Sequence, residues 1–257
     1  AGFRVGAFTS PHIKNYQERI ALNGQPISKK EFDAFERNLK KIKGFVKLTE
    51  FERLTIISVL YFKAQKPDFI IYEVGLGGRL DATNIFEPIL TIITKIGLDH
   101  QEFLGRTLTT IARDKAGIIK PHIPLVTIAQ SPKVISVFKE ICQEKKAPLK
   151  IVHKLAAIPP GYSLSGSFQQ ENLALAKAAL AVLGAQKDSS MQHISAQVFE
   201  RGLSKAFIWG RYLKLKKEHQ IIIVDCAHNA LGVRNLIKTL QKDYPHQKFS
   251  FLLGIKH

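Results

Sequence analysis

Apolar residues along this chain gather into short runs that end at polar or turn-forming residues. Four runs stand out: DFIIYEV at 68–74, ILTIITKI at 89–96, IPLVTIA at 123–129 and QIIIVD at 220–225. Nearly continuous isoleucine, leucine and valine, without strict alternation, is typical of strands buried on both faces of a parallel sheet. The pattern therefore predicts four such strands.

Helical patterns lie between these runs. EFERLTIISVLYFKAQK comes before the first run and RTLTTIARDKAG after the second, while ENLALAKAALAVLG is the clearest helix, with Gly184 as its C-terminal stop. Because strands and helices alternate, we predict an α/β fold with a mostly parallel, doubly wound sheet.

The composition changes near Ile208. In the stretch AFIWGRYLKLKKEHQ a helical pattern ends near Lys205, the single tryptophan follows, and charged residues precede the last apolar run. We place a domain boundary there, so that residues 1–208 form one domain and residues 209–257 the start of a smaller α/β domain. This last part is shorter than an independent α/β unit usually is.

The charge balance is strongly basic. Lysine and arginine number 38 against 21 aspartates and glutamates, a net charge of +17, which favours an anionic partner. The basic residues are scattered and lack the interleaved aromatic residues of a base-stacking surface. We therefore expect a solvated basic surface and no nucleic-acid partner.

Cysteine usage and hydropathy limit the compartment. The 2 cysteines are too few for a disulfide framework. No uncharged apolar run reaches the roughly 18 residues that span a bilayer, and no signal peptide pattern is present. We expect a cytoplasmic protein with no membrane partner.

Acidic and histidine residues follow the predicted strands. Glu73, Asp99 with His100, and Asp225 with His228 all come near the carboxyl end of an apolar run. Ligands of open α/β sheets bind at those ends of the strands. Any one of these residues alone is ordinary for a turn or a helix cap, but their agreement predicts a binding site.

The stretch IYEVGLGGRLDATN at 71–84 raises the choice between a phosphate loop and a carboxylate site. The dinucleotide fingerprint G-x-G-x-x-G is incomplete, because Leu80 takes the place of its third glycine. We expect the glycines to leave room beside Glu73, whose carboxylate is a good ligand for Mg²⁺.

Lys115 continues an apolar stripe formed by Leu108, Ile111 and Ala112 on a predicted helix. Either its side chain reaches solvent from the helix end, or it is held inside as a neutral amine suited to Schiff-base or carbamate chemistry.

His100 is either a structural histidine or a metal ligand. Arg211 in WGR is either a surface residue or a phosphate ligand.

Five segments together resemble the folylpolyglutamate synthase and dihydrofolate synthase family, within the superfamily of the Mur ligases. They are AFTSPHIKNYQERIALNGQPIS, EVGLGGRLDATN, GLDHQEFLGRTLTTIARDKAGIIK, WGR and DCAHNALGVRNL, in order over essentially the whole chain. The resemblance implies an ATP-binding domain, here 1–208, and a smaller C-terminal domain, here starting at 209. It also implies a carbon–nitrogen ligase that joins L-glutamate to a folate or dihydropteroate carboxylate through an acyl phosphate.

The resemblance also implies roles for individual residues. Ser10 and Glu73 resemble ligands of the Mg²⁺ that bridges the ATP phosphates, His100 a ligand of a second Mg²⁺, and Lys115 a lysine that becomes carbamylated. Lys115, His100 and His228 are the residues expected to take part in catalysis. Asn172 resembles the adenine contact, while Arg211, Asp225 and His228 resemble other ATP contacts. The expected substrate-binding residues are Thr9, Ser10, Pro11, His12, Glu18 and Arg19.

The chain departs from the family pattern at several points. No G-K-[ST] phosphate loop precedes GFRVGAFTSPH, and DCAHNA has Cys226 and Ala230 where the family usually has glycine and proline. We expect a monomer that is cut at both ends and is inactive or partial by itself. The alternatives are a Mur-type ligase acting on a UDP-linked peptide, a nucleic-acid-binding module and a truncated paralogue kept as an interaction protein.

Overall fold

The computed structural model describes residues 2–159, 162, 164, 166–185, 194–218 and 220–254. These residues fold into two compact units. The first comprises the chain up to Pro88 together with Asp114–Lys120, and the second comprises Ile89–Arg113 and the chain from Pro121 onward. Within the described part of the chain, every helix is too short or too polar to cross a membrane.

The first unit is built on a four-stranded sheet. Its strands are β1 (Val5–Phe8), β2 (Ile20–Leu22), β3 (Gln25–Pro26) and β4 (Phe69–Tyr72), in the spatial order β3-β2-β1-β4. β1 and β4 are parallel, with Val5 opposite Phe69 and Phe8 opposite Tyr72, whereas β1 and β2 are antiparallel. The carboxyl ends of β1 and β4 therefore lie side by side.

Two helices, α1 (Lys29–Leu39) and α2 (Glu50–Gln65), cover this sheet with apolar side chains. Each begins with a capping box, in which Ser28 pairs with Glu31 and Thr49 with Glu52. The buried core that they share with the sheet comprises Phe8, Ile20, Ile27, Phe32, Leu39, Leu54, Ile57, Tyr61 and Phe62.

The second unit contains a parallel sheet of β5 (Thr91–Ile93), β6 (Leu125–Ile128) and β7 (Leu149–Val152), with β6 in the centre. Its helices are α3 (Gln101–Leu104), α5 (Pro132–Glu144), α6 (Ser167–Gly184) and α7 (Ala196–Ser204), and α4 (Leu108–Lys115) begins in it. The residues from 213 onward form an antiparallel pair, β8 (Leu213–Lys217) and β9 (Gln220–Val224), followed by α8 (Ala230–Asp243).

The structure confirms the α/β class, the parallel pairing and all four predicted strands. It corrects the prediction that these strands are buried on both faces. Only β6 is buried at every residue, whereas four of the five residues of β9 are exposed. A strand is buried on a face where another layer packs over it: Val126 and Ile128 of β6 pack against Leu175 of α6, whereas β9 forms only a two-stranded pair with β8 among the described strands. The predicted domain boundary at Ile208 lies inside the second unit and stays a prediction.

Candidate functional site

Glu73 lies directly after β4 in the first unit and joins the ends of two parallel strands. Its backbone N–H donates to Phe8 O at 2.9 Å, and its carboxylate Oε2 accepts from the backbone N–H of Ser10 at 2.7 Å. The side chain is exposed. The structure thus brings together Ser10 and Glu73, the two residues predicted to bind one Mg²⁺, at a strand end where ligand sites form.

Two of the glycines that follow Glu73, Gly75 and Gly78, face protein. A Cβ at Gly75 would lie 2.6 Å from the ring atom Cζ of Phe51, and one at Gly78 would lie 2.7 Å from the backbone oxygen of Lys115. A Cβ at Gly117 would lie 2.5 Å from Arg79 Cα. For Gly75 and Gly78 this corrects the expectation of room for a ligand, because both instead allow close internal packing.

Two polar residues, which the sequence analysis did not single out, fix this glycine loop. Asp81 Oδ2 accepts from the backbone N–H groups of Gly75 and Leu76, each at 3.0 Å. Asn84 Nδ2 donates to the backbone oxygens of Arg79 at 3.0 Å and Gly117 at 3.2 Å. The signal for them was the polar cluster DATN after the glycines, which is typical of turns.

Lys115 is the last residue of α4, and its neighbours bear out part of the predicted stripe. Ile111 and Ala112 are fully buried, whereas Lys115 is of intermediate exposure. The backbone of Lys115 packs closely against Gly78. The side chain is neither enclosed in the core nor fully solvated, so both interpretations of this lysine stay open.

The segment from Thr9 to Arg19 contains the predicted substrate-binding residues and is folded on itself. The carboxylate of Glu18 accepts from the backbone N–H groups of Ile13 at 2.8 Å and of Lys14 and Asn15 at 2.9 Å each. These hydrogen bonds, with that from Ile13 the largest influence, hold the pKa of Glu18 below its ordinary value. Glu18 therefore shapes the loop from within.

Further hydrogen bonds hold the same segment together, and one of them joins it to α2. Arg19 Nε donates to His12 Nδ1 at 2.9 Å, and the hydroxyl of Tyr16 donates to Glu50 Oε2 at 2.7 Å. The backbone N–H of Thr9 donates to Arg19 O at 2.9 Å. Thr9 and Pro11 are exposed, and the peptide bond before Pro11 is cis. Residues 13–16 are exposed as well, so much of the segment faces solvent.

In the second unit, Asp99 connects the loop after β5 to the start of α8. Its Oδ1 accepts from the backbone N–H of His100 at 2.9 Å, and its Oδ2 accepts from Asn229 Nδ2 at 2.7 Å. Burial raises the pKa of Asp99, but these hydrogen bonds outweigh it and hold the pKa below its ordinary value. His100 does not follow the strand directly, because β5 ends at Ile93.

Two predicted histidines flank Asp99. His228 Nε2 lies 3.6 Å from Asp99 Oδ2, and His100 Nε2 lies 4.0 Å from Asp99 Oδ1. His228 Nδ1 lies 2.9 Å from the backbone oxygen of Cys226. Both imidazoles are largely exposed, at 65% for His228 and 51% for His100, so each ring is accessible to a ligand.

Asp225 holds together the predicted ATP contacts that surround it in sequence. Its Oδ2 accepts from the backbone N–H of Tyr212 and its Oδ1 from that of Ala227, each at 2.8 Å. The backbone N–H of Cys226 donates to Gly210 O at 2.8 Å. Arg211 is therefore anchored through both of its chain neighbours, and its own side chain is exposed.

Asn172, on α6, donates to Gln169 Oε1 at 3.2 Å.

No family model matches the chain, but individual relatives do. It is 37% identical to the dihydrofolate synthase/folylpolyglutamate synthase of Bacillus subtilis over 99% of this chain and 65% of the relative. It is 33% identical to that of Escherichia coli over 100% of this chain and 62% of the relative. The chain belongs to the folylpolyglutamate synthase and dihydrofolate synthase family.

Solved structures agree with this family membership. A folylpolyglutamate synthase complex with AMPPCP and folate superposes with a TM-score of 0.85 at 30% identity, covering 95% of this chain and 66% of that one. The Mycobacterium tuberculosis folylpolyglutamate synthase complexed with ADP and AMPPCP gives 0.81 at 28% identity, covering 95% and 61%. The chain thus spans a little under two thirds of its relatives.

The donor set of this family member suits magnesium better than zinc. Among the described residues, no three histidine, cysteine, aspartate or glutamate side chains cluster as a metal site. Zinc sites usually need three or four such ligands, whereas Mg²⁺ is held by one or two carboxylates with water and substrate phosphates. The exposed carboxylate of Glu73 beside Ser10 fits that requirement.

Proposed function

We propose that the protein containing this chain is an ATP-dependent, ADP-forming ligase that joins L-glutamate to the carboxylate of folate or dihydropteroate. The proposal is carried by the pairing of Ser10 with Glu73 at a strand end, in a chain that matches a named dihydrofolate synthase/folylpolyglutamate synthase over 99% of its length. AMPPCP and folate occur together in one solved relative, which supports ATP and a folate as substrates.

The proposed reaction has two steps. An oxygen of the substrate carboxylate attacks the γ-phosphorus of ATP, the bond to the β,γ-bridging oxygen breaks, and ADP leaves. The amine of glutamate then attacks the acyl phosphate, loses a proton and displaces inorganic phosphate, which leaves an amide. Catalysis of this kind depends on positioning and on stabilising charge around the transferred phosphoryl group.

Residues of the first unit would hold the metal and the acceptor. Ser10 and Glu73 are the proposed ligands of one Mg²⁺, which gathers the charge of the phosphates when it is bound. Thr9, Pro11 and His12 belong to the proposed acceptor-binding segment, which Glu18 and Arg19 hold in shape. Lys115, of intermediate exposure at the end of α4, is proposed to carry a carbamate.

Residues of the second unit would bind the nucleotide. Arg211 and His228 are exposed cations or donors suited to phosphate oxygens, and Asn172 is the proposed adenine contact. His100 is the proposed ligand of a second Mg²⁺. The net charge of +17 favours encounters with ATP and folates, which are polyanions. The cytoplasmic location and the monomeric state stay predictions.

Acceptor specificity tests this function. ADP release by the full-length protein is measured with Mg²⁺, ATP and L-glutamate in the presence of dihydropteroate, tetrahydrofolate or a UDP-linked muramoyl acceptor. We expect release that depends on glutamate and on either pteridine substrate. Release with the UDP-linked acceptor alone would transfer the protein to the Mur-type ligases, and no release with any acceptor from folded protein would refute a ligase function.

A further inference from the structure

The structure assigns a role to Asp99: we propose that it is a positioning residue, which acts through Asn229 to fix the turn that presents His228. This inference rests on the proposed function, since it concerns a reaction in which His228 binds the nucleotide. Asp99 lies 130 positions before Asn229 in the sequence, and the two side chains are 2.7 Å apart.

Asn229 links Asp99 to α8 through both ends of its amide. Its Nδ2 donates to Asp99 Oδ2 at 2.7 Å, and its Oδ1 accepts from the backbone N–H of Gly232 at 2.8 Å, which caps the helix. A rotated amide would set a donor against the Gly232 N–H and an acceptor against the carboxylate. The two hydrogen bonds therefore specify one orientation of Asn229.

His228 lies between Asn229, which is hydrogen-bonded to Asp99, and Ala227, which is hydrogen-bonded to Asp225. On its other side, Asp225 accepts from the backbone N–H of Ala227 at 2.8 Å. His228 Nδ1 lies 2.9 Å from Cys226 O, and because a carbonyl oxygen only accepts, Nδ1 carries a proton in that hydrogen bond. Nε2 is then the ring nitrogen that points toward Asp99. At 3.6 Å this contact is too long for a direct hydrogen bond, so Asp99 acts on the ring mainly through the turn.

An independent contact brings the same two segments together. A Cβ at Gly97 would lie 3.0 Å from Leu231 Cδ2, so the loop that carries Asp99 packs against the first turn of α8. Only a residue without a side chain permits this distance without a shift of Leu231. Packing at Gly97 and hydrogen bonding at Asp99 thus hold the turn from two directions.

The hydrogen bonds of Asp99 explain why we assign it to positioning. One oxygen accepts from the His100 N–H and the other from Asn229, so both oxygens orient protein groups. Loss of a positioning residue that fixes a ligand-binding side chain typically costs activity roughly 10- to 100-fold, as is seen for groups that orient metal ligands.

A reciprocal exchange tests the pair in the full-length protein. In Asp99→Asn one amide oxygen replaces two carboxylate acceptors, so the hydrogen bond from either the His100 N–H or Asn229 is lost, and Asn229→Asp places two carboxylates together. In the double variant D99N/N229D, the amide at 99 donates to the carboxylate at 229, which still caps α8. We expect each single variant to lower kcat/KM for ATP roughly 10-fold or more, and the double variant to recover most of it.

A second comparison separates positioning from a general loss of structure. In a His228→Ala background, Asp99→Asn should cause little further loss of kcat/KM, because the side chain it positions is gone. Asp33→Asn is the matched control, since Asp33 has the same 36% side-chain exposure and pairs with Lys29 on α1. Its activity should equal that of the wild type, and thermal unfolding of each variant confirms folding.

The outcomes are distinct. Undiminished activity of Asp99→Asn, failure of the double variant to recover, or an equal loss in the His228→Ala background each overturns the positioning role. The wild-type protein is assayed first. If it releases no ADP in response to glutamate and a pteridine, the proposed function fails, whereas an active wild type beside an unaffected Asp99→Asn refutes the positioning role alone.

Discussion

The backbone N–H of Ser10 donates to the carboxylate of Glu73 at 2.7 Å, across the ends of two neighbouring parallel strands. One carboxylate oxygen is thereby used to orient the side chain, and the group as a whole stays exposed. A glutamate held in this way is pre-oriented for a cation, which supports the proposal that Ser10 and Glu73 bind the metal of the ATP phosphates.

Substitution of Glu73 by glutamine should show whether its negative charge is needed for activity while the fold is kept. The amide oxygen still accepts from the Ser10 N–H, so we expect the free energy of unfolding to change by less than about 0.5 kcal/mol. Loss of the negative charge should lower ADP release about 100-fold, the scale of losing an electrostatic contact in a transition state. ADP release is measured over a range of Mg²⁺ concentrations. An unchanged rate and an unchanged Mg²⁺ dependence would exclude Glu73 as a ligand.

Substitution of Gly78 by alanine should destabilise the first unit. The added Cβ would meet Lys115 O at 2.7 Å, and because backbone yields less than a side chain, we expect a loss of about 1–3 kcal/mol in urea unfolding. Gly202→Ala on α7 is the control, since nothing lies within 4 Å of its added Cβ. That change should be neutral or stabilise by up to about 1 kcal/mol. Equal stability of the two variants would contradict the packing role of Gly78.

Acid should weaken the hydrogen bonds within the segment that contains Glu18. Its folded-state pKa is depressed, so its contribution to stability is fully present above the ordinary value of 4.5 and is lost as the pH falls through the folded-state pKa. The difference in unfolding free energy between wild type and Glu18→Gln should therefore be largest at neutral pH and shrink below about pH 4.5. Urea unfolding from pH 7 to pH 3 measures it, and a difference that stays constant would rule out this linkage.

Arg211 should matter for the nucleotide and little for the fold. Its side chain is exposed, and the backbone on either side is anchored by Asp225 and Cys226. Arg211→Ala should raise KM for ATP about 10- to 100-fold, the value of a hydrogen bond to a charged group, with unfolding free energy changed by less than about 0.5 kcal/mol. Arg211→Lys keeps the positive charge but lacks the planar guanidinium group, so its KM for ATP should lie between those of the wild type and Arg211→Ala. A KM equal to that of wild type would leave Arg211 a surface residue.

Local sequence pattern predicted the strands and the position of Glu73, because an apolar run that ends in an acid is a short-range signal. The corrected features depend on distant residues. Gly75 needs a partner at Phe51, and Gly78 needs the backbone of Lys115.

Asp99 illustrates the limit of the same reasoning. It was counted with His100 among the residues near the strand ends but was given no role of its own, and the loop that carries it, after β5 ends at Ile93, has no regular pattern. Its contact with Asn229 spans 130 positions, and nothing in either local stretch indicates it. The exposure of β9 escaped prediction for a similar reason, because an apolar run does not reveal what packs over the faces of its strand.

Transfer of oxygen from the acceptor to phosphate tests the central claim most directly. The full-length protein is incubated with ATP, Mg²⁺, L-glutamate and dihydropteroate or folate labelled with oxygen-18 in the reacting carboxylate, and the released phosphate is analysed by mass spectrometry. We predict that each amide formed is matched by one phosphate that carries one labelled oxygen. Unlabelled phosphate alongside amide formation would contradict the acyl-phosphate route, and release of phosphate without any amide would contradict glutamate ligation itself.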